Sequence, residues 1–79
     1  MNNIEKYKKI FVESLDITSD KINDDLKYND IPEWDSIGHM TLMSGLEDGF
    51  SITLETDDIV DFSSFSKGKE ILKKYSITI

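Results

Sequence analysis

Four apolar side chains near the start of the chain, Ile4, Tyr7, Phe11 and Leu15, fall at i, i+3, i+7 and i+11. That spacing lines up one face of a helix, so it predicts a first amphipathic helix over residues 3–15. A chain of 79 residues offers such a helix one small core to pack into, and residues 1–79 are expected to form a single domain. With 38% hydrophobic and 32% charged residues, the chain has the balance of a compact domain and not of a disordered tail.

Further along, residues 16–32 carry many turn formers, among them Asp20, Asn23, Asp24, Asp25, Asn29 and Asp30. A long loop is predicted, pinned to the core by Ile17, Ile22, Leu26, Tyr28 and Ile31. A short helical turn near 19–25 is expected, because 17 structureless residues are unusual in a small domain. Pro32 keeps the chain extended, and Asp35 or Ser36 can cap a second helix. Ile37, Met40, Met43, Leu46 and Phe50 give that helix a wide apolar arc, as for a central element contacted from several sides. Gly38, Gly45 and Gly49 weaken it by about 1 kcal/mol each relative to alanine, so Gly45→Ala is expected to stabilise the chain. An extended loop should follow, burying Ile52 or Leu54. Thr56 or Asp57 is expected to cap a short helix through Phe62. Ser63 or Ser64 should cap a last one, with Phe65, Gly68, Leu72 and Tyr75 on one face. The expected fold is all-α, three main helices and one short one.

Charge narrows the function. Sixteen acids against nine lysines, with no arginine, give −7. Residues 28–66 contain no lysine and nine acids, while the flanks, with seven acids and nine lysines, stand at +2. Nucleic acid and anionic membranes are polyanions and would be repelled. No apolar run approaches the roughly 18 residues of a membrane span. The opening Met-Asn-Asn-Ile-Glu lacks the basic flank and apolar run of a secretory signal, so a cytoplasmic protein is expected. Without cysteine there is no disulfide, thiolate metal site or cysteine nucleophile.

Spacing speaks against other chemistries. An EF-hand loop from Asp16 would put Lys21 at the glycine position and Lys27 at the glutamate position. From Asp57, position 12 would be Gly68, so calcium fails there too. Ser36 and His39 suggest a hydrolase, yet Trp34-Asp35-Ser36-Ile37-Gly38 lacks the first glycine of a nucleophile elbow and no strand precedes it. A single histidine makes no typical zinc site. His39 is read as a surface or helix-cap residue, and no enzyme activity or metal site is expected.

The segment Glu33-Trp34-Asp35-Ser36-Ile37-Gly38-His39-Met40-Thr41-Leu42, followed by Leu46-Glu47-Asp48-Gly49-Phe50, resembles the attachment segment of the acyl carrier proteins. The likeness extends along the chain: helix, long loop, Asp-Ser start of a central helix, short acidic helix, final helix. It implies that Ser36 receives 4′-phosphopantetheine from coenzyme A through a phosphopantetheinyl transferase, with Asp35 supporting that transferase. Acyl groups would then travel as thioesters on the arm between separate enzymes. A phosphodiester on a serine at a helix N-terminus would face unpaired amides and the positive dipole end. The resemblance further implies docking on basic patches of acyl-transferring or acyl-activating enzymes through Ile37, Met40, Glu47, Asp48, Asp57, Asp58 and Asp61. Leu46, Leu54, Ile59 and Phe62 would line a cleft for the acyl chain. A monomer without membrane insertion is expected.

Carriers of primary fatty-acid synthesis usually have acids where this chain has Gly38 and Thr41, and a smaller residue where it has Ile59. A specialised stand-alone carrier is therefore favoured, in a lipid, polysaccharide-modification or secondary-metabolite pathway. The alternatives are an aminoacyl or peptidyl carrier and an unmodified acidic docking domain of the same fold.

Overall fold

In the computed structural model, which describes residues 2–79, the first helix α1 spans Asn3–Leu15, the range its apolar spacing predicts. The Asn2 side chain caps it by accepting from the Glu5 N–H at 2.9 Å. Tyr7, Ile10, Phe11 and Leu15 are buried along its inner face. Asp16 ends it in the left-handed region at φ 54°, which turns its N–H back onto the Val12 carbonyl.

Residues 16–35 form the long loop, with one 3₁₀ turn at Ser19–Lys21. It is stitched to the region before the last helix. The Phe65 N–H donates to Leu26 O and the Tyr28 N–H to Ser63 O, both at 2.9 Å. Ile17 and Leu26 are buried, and Ile22, Tyr28 and Ile31 pack half-buried against the core. The strongest anchor is one the spacing does not reveal. Trp34 has no exposed surface and meets Phe11 edge-on at 5.3 Å.

Helix α2, Ser36–Phe50, is capped by the Asp35 carboxylate, which accepts from the Gly38 N–H at 2.8 Å. Its inner residues are Leu42, Met43 and Leu46. The expected apolar arc is wider than the one that packs, for Ile37 and Met40 are left 79% and 57% exposed. The face turned to α1 carries the glycines instead. A β-carbon on Gly45 would stand 2.6 Å from Ser14 Oγ and 3.2 Å from Ile10 Cγ2. One on Gly49 would stand 2.5 Å from Ile10 Cδ1, and one on Gly38 would run into the Glu33 carbonyl. The glycines let α1 and α2 close, so the gain in helix propensity expected from Gly45→Ala is opposed by crowding against Ser14 and Ile10.

After an extended stretch that buries Leu54, helix α3 runs Thr56–Asp61 and helix α4 runs Phe65–Lys73. Glu55, not Thr56 or Asp57, holds the cap position of α3, without a side-chain bond. Ser64 caps α4 by accepting from the Lys67 N–H at 2.9 Å. Among the described residues there is no strand beyond one isolated bridge between Lys27 and Ser64, and the bundle is all-α. Its centre is aromatic: Tyr7, Phe11, Phe62 and Phe65 pack edge-on or tilted around one another. The Tyr7 hydroxyl donates to Phe65 O at 2.7 Å, and burial pushes its pKa well up. Among the described residues, no helix is long and apolar enough to cross a membrane.

Candidate functional site

Ser36 is the first residue of α2, and its side chain is exposed. Asp35 beside it spends one carboxylate oxygen on the Gly38 N–H, which fixes the first turn and with it the direction of the Ser36 side chain. The Ser36 hydroxyl lies 3.1 Å from the Tyr28 hydroxyl. It opens onto a cavity of about 340 Å³ that it shares with Tyr28, His39, Met40, Ile59, Val60, Phe62 and Ser63.

His39 is neither a surface residue nor a cap, which corrects the expectation for it. Its Nδ1 accepts from Trp34 Nε1 at 3.0 Å, and its Nε2 lies 2.8 Å from Ile59 O. An indole N–H can only donate, so Nδ1 is the bare nitrogen and Nε2–H donates to the carbonyl. The half-buried ring thus ties the loop and α3 to α2. Both nitrogens are occupied, so neither is free to serve Ser36 as a base, and the hydrolase reading loses its geometry.

Of the four residues expected to line an acyl cleft, Ile59 and Phe62 line this cavity. Leu46 and Leu54 do not; both are packed in the core away from it. Tyr28, His39, Met40 and Val60 take their place. Val60 is 77% exposed and, among the described residues, joins Ile37 and Met40 as the large apolar residues left in solvent. Spacing could not have found it, because a helix of six residues is too short to show a face.

The acids divide. Asp48, Asp57 and Asp61 are exposed, as a docking surface requires. Glu47 is half-buried and spends Oε2 on the Leu54 N–H at 2.8 Å, so its carboxylate is committed to fixing the 51–55 stretch. Asp58 departs furthest from its expected role, being 4% exposed. Its carboxylate accepts from Lys74 Nζ and from the Tyr75 hydroxyl, while the Tyr75 oxygen accepts from the Glu55 N–H at 3.0 Å. The Lys74 bond first, and then the Tyr75 bond, hold Asp58 below the ordinary carboxylate range. The same contacts raise Lys74 and Tyr75 above theirs. Asp58 anchors α3 to the end of α4, and its charge faces inward.

The chain is 31% identical over 78 residues, 98% of its own length and 98% of the relative's, to an acyl carrier protein of Buchnera aphidicola subsp. Acyrthosiphon pisum, strain Tuc7. The same values hold for the acyl carrier protein of strain APS. No family model matches the chain, and no solved structure matches it significantly.

Proposed function

Because this chain belongs to the acyl carrier protein family, we propose that the Ser36 hydroxyl is where a phosphopantetheinyl transferase attaches 4′-phosphopantetheine from coenzyme A. Members of the family are carriers and not enzymes, and this chain is a carrier. The observation that carries the proposal is the placement of Ser36: exposed at the first turn of α2 and opening onto a cavity with apolar walls. When attached, the group supplies a terminal thiol for acyl thioesters, which a chain without cysteine cannot supply itself.

The chain's own residues have defined parts in this reading. Asp35 holds the first turn closed and sits within reach of a transferase engaging Ser36. The N-terminus of α2 favours an anion on its first residue, through free amides and the dipole. Ile37, Met40 and Val60 offer exposed apolar contact to a partner, and Asp48, Asp57 and Asp61 offer charge to its basic residues. Ile59 and Phe62, with Met40, flank the cavity into which a cargo chain would turn.

A specialised carrier fits better than a housekeeping one. Position 38, often acidic in carriers of primary fatty-acid synthesis, lies against the Glu33 carbonyl, where no side chain fits without movement. The test is intact mass after incubation with coenzyme A, magnesium and a broad-specificity transferase. The wild type should gain one phosphopantetheinyl unit, and Ser36→Ala should gain none while staying folded, since Asp35 and not Ser36 supplies the cap bond. No gain by the wild type with several transferases would return the chain to an unmodified docking domain.

A further inference from the structure

We propose that Tyr28 is a positioning residue for Ser36: it orients the serine hydroxyl for loading and then donates a hydrogen bond to the phosphodiester formed there. The inference rests on the reading of Ser36 as the attachment site. Its basis is the 3.1 Å contact between the two hydroxyls, made across eight residues of sequence. That contact comes from a fixed point. The Tyr28 N–H is bonded to Ser63 O at 2.9 Å, beside the bridge that joins Lys27 to Ser64. The ring lies edge-on to Trp34 at 6.3 Å and to His39 at 5.4 Å, and those two are bonded to each other. The phenol oxygen therefore has little freedom, while the exposed serine hydroxyl has one rotatable bond to settle. Of the three staggered positions open to it, the contact selects the one facing Tyr28.

The chemistry gives the contact a direction. In loading, Ser36 Oγ forms a bond to the phosphorus of coenzyme A that bears the pantetheine group. The bond from that phosphorus to the oxygen of adenosine 3′,5′-bisphosphate breaks and its electron pair leaves with that product. The serine proton goes to a base of the transferase. While Ser36 is free, either hydroxyl can donate to the other. Afterwards Oγ is an ester oxygen without a proton, so only Tyr28 can donate, and an anionic phosphodiester is the better acceptor. The phenol hydroxyl thus matters before loading through orientation and after loading through a charge-assisted bond.

Tyr28→Phe removes this hydroxyl and keeps the ring. Loading of the full chain is followed by intact mass across carrier concentrations, and the loaded proteins are compared by ³¹P NMR. The expected result is a kcat about three- to tenfold lower, the size of one lost hydrogen bond, with KM within about twofold and helix content unchanged. The ³¹P resonance of the loaded variant should also move from the wild-type position. Equal loading rates overturn the orienting role, and an unmoved resonance overturns the bond to the phosphodiester. If the wild type itself takes no phosphopantetheine, the reading of Ser36 fails and this inference with it. A wild type that loads beside an indifferent variant defeats the inference alone.

Discussion

Helix α2 meets α1 through glycines and meets α3 across a cavity flanked by exposed apolar side chains, and the two seams work differently. Against α1, Gly45 and Gly49 leave room for Ser14 and Ile10, so the backbones come close and dispersion is gained along the contact. On the other side, Ile37, Met40 and Val60 stay in solvent around Ser36. Burying one such side chain is worth about 1.5–3 kcal/mol. A chain that leaves three of them out forgoes stability that it had the residues to obtain. On α2 itself, Gly45 and Gly49 close the contact with α1, while Ile37 and Met40 are left open to be met from outside.

The largest effect should come from the closed seam. Gly45→Ala is expected to destabilise by about 1–3 kcal/mol in denaturant unfolding, through overpacking. Adding Ser14→Ala should recover part of the loss, since it removes the Oγ at 2.6 Å and leaves a Cβ at 3.9 Å. Loading of Ser36 should stay within about twofold wherever the variant is folded. A stabilised Gly45→Ala would mean that helix propensity outweighs the seam.

A smaller effect, of opposite kind, is expected at the open seam. Reversing Asp57 and Asp61 to lysine should lower kcat/KM for transferase loading about tenfold, or about 1.4 kcal/mol, with little change in stability. The deficit should shrink as salt rises from about 0.05 M to about 0.5 M, because the screening length contracts. A loss indifferent to salt would point to damage in α3 and would blur the comparison.

The smallest effect concerns the anchor of α3. Asp58 is held below the ordinary carboxylate range, so its contribution is complete above about pH 4 and is lost as pH falls through its lower folded value. Asp58→Asn should therefore lower stability near neutrality and flatten the fall in stability below about pH 4. An unchanged acid limb would mean that the bonds from Lys74 and Tyr75 do not discriminate the charged form.

Local features of the chain were legible before its structure. Four apolar residues at helical spacing over residues 4–15 are enough to bound α1. Asp35 and Ser36 after Pro32 mark the start of α2 in the same way. What escaped depends on contacts made at long sequence separation. Nothing near Trp34 says that it is fully buried, and nothing near His39 says that its ring bonds residue 59. Asp58 reads like its acidic neighbours until Lys74 and Tyr75 are folded onto it. The glycines of α2 look like weak helix formers until α1 lies against them. At the candidate site, the exposed place of Ser36 at the start of α2 was legible because its signal is local. Tyr28 and Val60 were not, because each reaches Ser36 only through the fold.

Carriage of acyl groups at Ser36 on an attached thiol is directly testable, because the chain has no cysteine of its own. The measurement is fragment mass spectrometry of the chain after transferase treatment with acetyl-coenzyme A, before and after neutral hydroxylamine, which cleaves thioesters and spares amides. The account predicts an acetyl-phosphopantetheinyl gain confined to the fragment containing Ser36, loss of the acetyl group to hydroxylamine, and neither in Ser36→Ala. An acetyl group that resists hydroxylamine, or that lies on a fragment without Ser36, would contradict it.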